Sequence, residues 1–240
     1  VVSSPAGALL ETGKKKLIIL FIKTLKTMAI VKESPIGVVS GKLGQIAGGK
    51  WKGINYLRVL PGSVANPQTL KQLTQRQKFS VTIGFINPIR QFLKIGFKNY
   101  AVQMTPANAA FSWNIEHAIL GTYPNFTIDY PNALVSRGEV APALNQAAAS
   151  TVAGTIAFTW DDNTGEIKGL STDKTLLLAY NPAKHQSVAI IELAERADGT
   201  QTITVPDSFS GDLVQCYIAF TGQDGIDVSN SMFAGAVTVL

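Results

Sequence analysis

At 240 residues and 46% hydrophobic content the chain is long enough to bury a sizeable core in one or two domains. Its single cysteine, Cys216, excludes an intrachain disulfide, and Asp, Glu and His do not recur at metal-ligand spacing, so no metal or other cofactor is expected. The net charge of +5 conceals a split: residues 1–100 carry 16 Lys+Arg against 2 Asp+Glu, and residues 101–240 carry 5 against 14. A chain divided in this way either meets something anionic with its basic half or joins oppositely charged halves of neighbouring copies.

Residues 1–27 place Lys14, Lys15 and Lys16 before an apolar run that ends at Lys23. The run is too short for a signal-peptide core or a membrane span, and no small-residue cleavage site follows it. This segment is expected to be a leader or a disordered extension, with an amphipathic surface helix as the alternative.

Residues 41–53 hold Gly41, Gly44, Gly48, Gly49 and Gly53 with Lys42, Lys50 and Lys52 among them, followed by the β-favouring Ile54, Tyr56, Leu57, Arg58 and Val59. A basic β-ribbon is expected: one strand near 43–47, a turn at Gly48-Gly49, and a return strand near 51–59. Gly44 to Lys50 fits most of a phosphate-binding loop. Trp51 stands where that loop needs a magnesium-binding hydroxyl, and a strand rather than a helix follows, so nucleotide hydrolysis is not expected. The ribbon either presents Lys42, Lys50, Trp51, Lys52 and Arg58 to a partner, or anchors Trp51 and Tyr56 in a core while its lysines stay solvated.

Asn66 and Pro67 are read as N-cap and first turn of a helix. Leu70, Leu73, Phe79 and Ile83 form its apolar stripe, and Arg76 and Lys78 extend the basic surface. Asn87-Pro88 restarts a second helix carrying Ile89, Phe92, Leu93 and Phe97. Residues 106–120 read as a third, with Glu116 and His117 but no convergent partner for acid–base chemistry.

The series SPIGVVSGKLGQIAGGKWKGINYLRVLP followed by NPQTLKQLTQRQKF resembles an uncharacterised family of Bacteroidota proteins of unknown function. The residues that carry the likeness are Gly41, Lys42, Gly44, Trp51, Lys52, Gly53, Arg58, Pro61, Asn66, Pro67, Gln72, Arg76 and Phe79. The resemblance implies a β-rich C-terminal region, covers about residues 28–240, and transfers no activity.

Residues 126–130, FTIDY, read as a short strand with LVSRG as its partner, and 141–151 as a small, polar connector. From Val152 onward, TIAFTW, KTLLLAY, SVAIIEL, TQTITV, DLVQCYIAF and SMFAGAVTVL are short strands separated by turn residues, which predicts an antiparallel sandwich. Trp160 and Tyr217 are expected in its core, and Cys216 as a small buried hydrophobe. Asp161, Asp162 and Glu166 lack the spacing of a calcium loop and read as a solvated turn.

The fold expected is therefore α+β: a basic N-terminal β-ribbon plus helices over residues 28–140, then an immunoglobulin- or fibronectin III-like β-sandwich over 152–240 that folds on its own. The function expected is non-enzymatic, as a structural or assembly protein of a surface appendage, matrix or virion-like particle. Self-association or another protein partner is expected, without a membrane span. The alternative is nucleic-acid binding through Lys42, Lys50, Lys52, Arg58, Arg76 and Lys78.

Overall fold

The computed structural model describes residues 28–31, 40–51, 54–62, 66, 68–166 and 168–240, so the expected leader, Lys52 and Pro67 lie outside the described residues. The chain divides into two compact units, Val1–Pro67 and Gln68–Leu240.

The first unit is an antiparallel sheet of β1 (Met28–Val31), β2 (Gly41–Leu43), β3 (Ile46–Trp51) and β4 (Ile54–Val59), in the order β1-β4-β3-β2. The expected turn at Gly48-Gly49 lies instead inside β3, where Gly48 pairs with Gly41 and Leu57, and Gly49 with Tyr56. The β2–β3 turn falls at Gly44-Gln45, because a tight hairpin needs positive φ and Gly44 supplies it at +58°. At Gly49 the missing side chain makes room for a neighbour: a Cβ there would lie 2.9 Å from the Tyr56 hydroxyl.

The second unit opens with α1 (Leu70–Ile86), α2 (Arg90–Gly96) and α3 (Pro106–His117). Thr69, not Asn66, caps α1 by accepting from the Gln72 N–H at 3.4 Å, and Thr105 caps α3 in the same way from Asn108. The apolar stripe of α1 is also displaced. Leu70 and Phe79 are 65% and 53% exposed, while Thr82, Phe85 and Ile86 are buried, because only the C-terminal half of the helix reaches the core. A hairpin of β5 (Ile119–Thr122) and β6 (Asn125–Ile128) follows, so FTIDY pairs with residues expected to end a helix rather than with LVSRG.

The remaining strands are β7 (Leu144–Ala149), β8 (Thr155–Asp161), β9 (Lys174–Asn181), β10 (Gln186–Glu195), β11 (Thr200–Thr204), β12 (Leu213–Thr221) and β13 (Met232–Thr238). They form two antiparallel sheets, β10-β9-β12-β13 and β11-β8-β7, which is the immunoglobulin/fibronectin III-like sandwich expected. The edge strand β7 occupies the segment read as a connector. Its small residues suit close pairing with β8.

Two cores share the four-stranded sheet. Leu177 and Ala179 of β9 and Cys216, Ile218 and Phe220 of β12 face the sandwich interior with Ile156, Phe158, Trp160 and Ile203. The alternate residues Leu176, Leu178, Tyr180, Tyr217 and Ala219 face Phe85, Ile86, Ile89, Phe92, Leu93 and Phe97 of the helical layer. Tyr217 is thus buried as expected, but beneath the helices rather than inside the sandwich. The helices cover the outer face of the sheet, so the expected boundary after residue 140 cuts through one compact unit.

Residues 134–140, the LVSRG segment and its continuation, lace this unit together. Leu134 exchanges hydrogen bonds with the Asn114 side chain of α3, and the Arg137 N–H donates to Gly96 O of α2 at 2.8 Å. On the sandwich side Val135 donates to Ser231 Oγ, the Ser136 hydroxyl donates to Ser229 O, and Gly138 donates to Asn230 Oδ1. A Cβ on Gly96 would lie 2.4 Å from Val135 O, and one on Gly138 1.8 Å from Val228 O, so the strap approaches closer than any side chain permits.

Candidate interaction surfaces

Within the N-terminal sheet the register settles which expected residues share a face. Lys42 pairs with Ala47 and Ala47 with Arg58, so Lys42 and Arg58 lie on one face, two strand spacings or roughly 10 Å apart. Tyr56, two positions before Arg58, lies on that face, and its ring crosses Gly49. Lys50 pairs with Asn55 and falls on the opposite face. Lys42, Lys50 and Arg58 are exposed. Trp51 closes the β3–β4 ladder opposite Ile54.

The opposite face also carries an apolar row: Leu43, Ile46 and Val59 stand in register and are 76%, 45% and 56% exposed. Arg76 and Lys78 belong to the second unit. Arg76 is exposed beside Gln75, Phe79 and Ile115, and the Lys78 ammonium lies 5.2 Å from the centre of the Phe126 ring.

The second unit gathers most of its exposed acidic groups at one end of the sandwich. Lys174 of β9 pairs with both Glu195 of β10 and Thr221 of β12, so loops 162–173, 196–199 and 222–231 emerge together. With the adjoining strap and the last residue of β8 they expose Glu139, Asp161, Asp162, Glu166, Asp198, Asp224 and Asp227. Lys168 is the single exposed cation of those three loops among the described residues. It is paired to Glu139, which holds that carboxyl below its usual range. Asp162 is likewise lowered by hydrogen bonds from the Thr164 hydroxyl and backbone N–H. These groups therefore stay ionised at neutral pH. An open cleft of about 600 Å³ separates the loops, lined among others by Lys168, Asp173, Asp224 and Asp227.

Arg196 fixes the geometry of this end. Its side chain is fully buried and donates to Asp173 Oδ2 from Nε at 3.2 Å and from Nη2 at 3.0 Å, to Asn163 Oδ1, and to Ala141 O at 2.8 Å. The guanidinium lies 3.9 Å from the centre of the Phe220 ring, and the Trp160 indole donates to Arg196 O at 2.8 Å. Two loops and the entering chain are thus tied to the core through one side chain. Sequence reasoning missed it; the signal was that residues 101–240 hold only two arginines, Arg137 and Arg196.

The remaining features have no reaction chemistry built around them. Gly44 to Lys50 is a turn followed by extended strand, not a phosphate-binding loop leading into a helix. His117 donates from Nδ1 to Trp113 O at 2.9 Å and stacks on the Trp113 ring. Cys216 is fully buried, and burial pushes its thiol up to about 12. Among the described residues no cluster of three or more His, Cys, Asp or Glu could hold a metal, and no helix is long and apolar enough to cross a membrane.

No curated protein matches the chain in sequence. Among solved structures, the fn3 domain of the human collagen alpha-1(XX) chain is similar at 14% identity and a TM-score of 0.31, over 42% of this chain and 86% of that one. The model of a family of unknown function, DUF6266, matches residues 38–235, from just ahead of β2 into β13, and the chain belongs to that family.

Proposed function

We propose that the chain is a non-enzymatic assembly protein in which the acidic loop end of one copy docks on the basic N-terminal sheet of the next. One observation carries this reading: exposed carboxylates collect on loops held by Arg196, while Lys42, Lys50 and Arg58 are exposed on a sheet with no acidic residue between positions 40 and 62. Contacts of this kind are heterologous, and they propagate into a ring or filament when repeated. A subunit of a surface appendage, matrix or virion-like assembly would use them so.

Light scattering after size-exclusion chromatography tests the reading. Association should weaken as salt rises from low to physiological strength, where exposed charges are screened within about 8–10 Å. Lys42→Glu with Arg58→Glu should abolish it, and Asp161→Lys with Asp162→Lys in the same chain should partly restore it. A nuclease-treated protein that stays monomeric at high concentration and low salt would end the proposal.

The second reading, nucleic-acid binding, has its own support in Tyr56, an aromatic ring on the face that carries Lys42 and Arg58. It differs in outcome. The lysine and arginine reversal would abolish retention of DNA or RNA, the aspartate reversal would restore nothing, and affinity would fall steeply with salt.

A further inference from the structure

Arg137 sits on the strap, its backbone held by Gly96, but its guanidinium has no ion pair or hydrogen bond among the described residues. Its central carbon instead lies 4.3 Å from the centre of the Tyr100 ring and 4.4 Å from that of Trp113. Trp113 in turn stacks on His117, ring centres 4.0 Å apart and planes within 10°. Aromatic contact of this kind holds a guanidinium flat and leaves the donors along its edge free.

That edge borders an open pocket of about 250 Å³, whose walls include Phe97, Met104, Ala109, Ser112 and Glu116. Trp113 belongs to the same lining, and its indole N–H is enclosed without an acceptor. Neither Arg137 nor Trp113 is used by the surfaces proposed for assembly.

The geometry points to a binding site for a single carboxylate, carried on a short aliphatic or aromatic chain and received by the fork of Arg137. A planar carboxylate matches the paired donors of a guanidinium. Met104 and Tyr100, both exposed, give the attached chain an apolar wall. Glu116 in the same lining offsets the Arg137 charge, which disfavours a dianion relative to a monoanion. The ligand meets Arg137 rather than the enclosed indole, and Trp113 serves as the platform that positions the fork.

The full chain is titrated with sodium phenylacetate, with sodium chloride and inorganic phosphate as comparisons, and its three indole N–H resonances are followed by NMR. Loss of one signal in Trp113→Phe assigns Trp113. Phenylacetate should shift that signal saturably, and chloride and phosphate should not. Arg137→Lys, which keeps the charge but removes the fork, should weaken binding about tenfold, the equivalent of one charge-assisted hydrogen bond. Glu116→Gln, an exposed and structurally mild change, should tighten it. A Trp113 signal unmoved by phenylacetate, or an unchanged affinity in Arg137→Lys, would overturn the site.

Discussion

Arg196 and Asp173 form an ion pair sealed from water, Nη2 to Oδ2 at 3.0 Å with side chains 0% and 2% exposed. They are 23 residues apart in sequence and belong to different loops, so the pair is a clamp on the end of the sandwich where the acidic groups gather. A buried pair of this kind is weak evidence for net stability, but removing one partner strands the other charge in a dry site.

Arg196→Met should accordingly cost about 3–5 kcal/mol in urea-induced unfolding. Adding Asp173→Leu to it should return part of the loss, because the stranded carboxylate is then gone. If Arg196→Met alone costs less than about 1 kcal/mol, the range of ordinary surface changes, the clamp does not hold the fold.

Trp160→Ala should cost about 3–5 kcal/mol, as truncation of large buried aromatics does. The ring is 4% exposed, packs edge-on to Phe220 at 5.9 Å, and spends its N–H on Arg196 O. Trp160→Phe should lose less, keeping most of the packing while leaving Arg196 O without its donor. Equal losses for the two substitutions would show that the hydrogen bond, not the packing, dominates.

Residues 141–240 expressed without the helices should not give a well-dispersed amide spectrum, whereas 68–240 should. The shorter fragment has every strand of the sandwich but uncovers Leu176, Leu178, Tyr180, Tyr217 and Ala219 on the outer face of its central sheet. A contiguous apolar face of that extent drives association rather than folding. A monomeric, cooperatively melting fragment of 141–240 would show that the sandwich folds alone, as its strand pattern by itself suggests.

Stability should decline above about pH 9. Burial raises the Cys216 thiol from 9.0 to about 12, and it also raises the Tyr180 and Tyr217 phenols. For groups whose pKa is raised on folding, the stabilising contribution is complete below the unfolded value and is lost as pH climbs toward the folded one. For the thiol that window runs from about 9 to about 12. The same burial should leave Cys216 inert to thiol reagents at pH 8 until the chain unfolds. Denaturant midpoints that stay flat from pH 8 to about pH 11 would refute the shift.

Much of this architecture is written locally. The turn-separated strands from Thr155 to Thr238, the helix over 106–117, and the burial of Cys216 and Trp160 all follow from periodicity, caps and side-chain size. LLLAY in β9 and CYIAF in β12 even carry, as unbroken apolar runs, the mark of strands covered on both faces. What the pattern did not name was the cover. An apolar run states that something packs on it, and only the folded chain shows that Phe85, Ile89 and Phe92 do so. The strap through Arg137, the contacts of the clamp at Arg196 and the placement of Gly48-Gly49 inside a strand were not legible in the pattern. The strap and the clamp depend on hydrogen-bond partners far away in sequence, and the glycine pair on the absence of a side chain beneath Tyr56; none of these leaves a period in the chain.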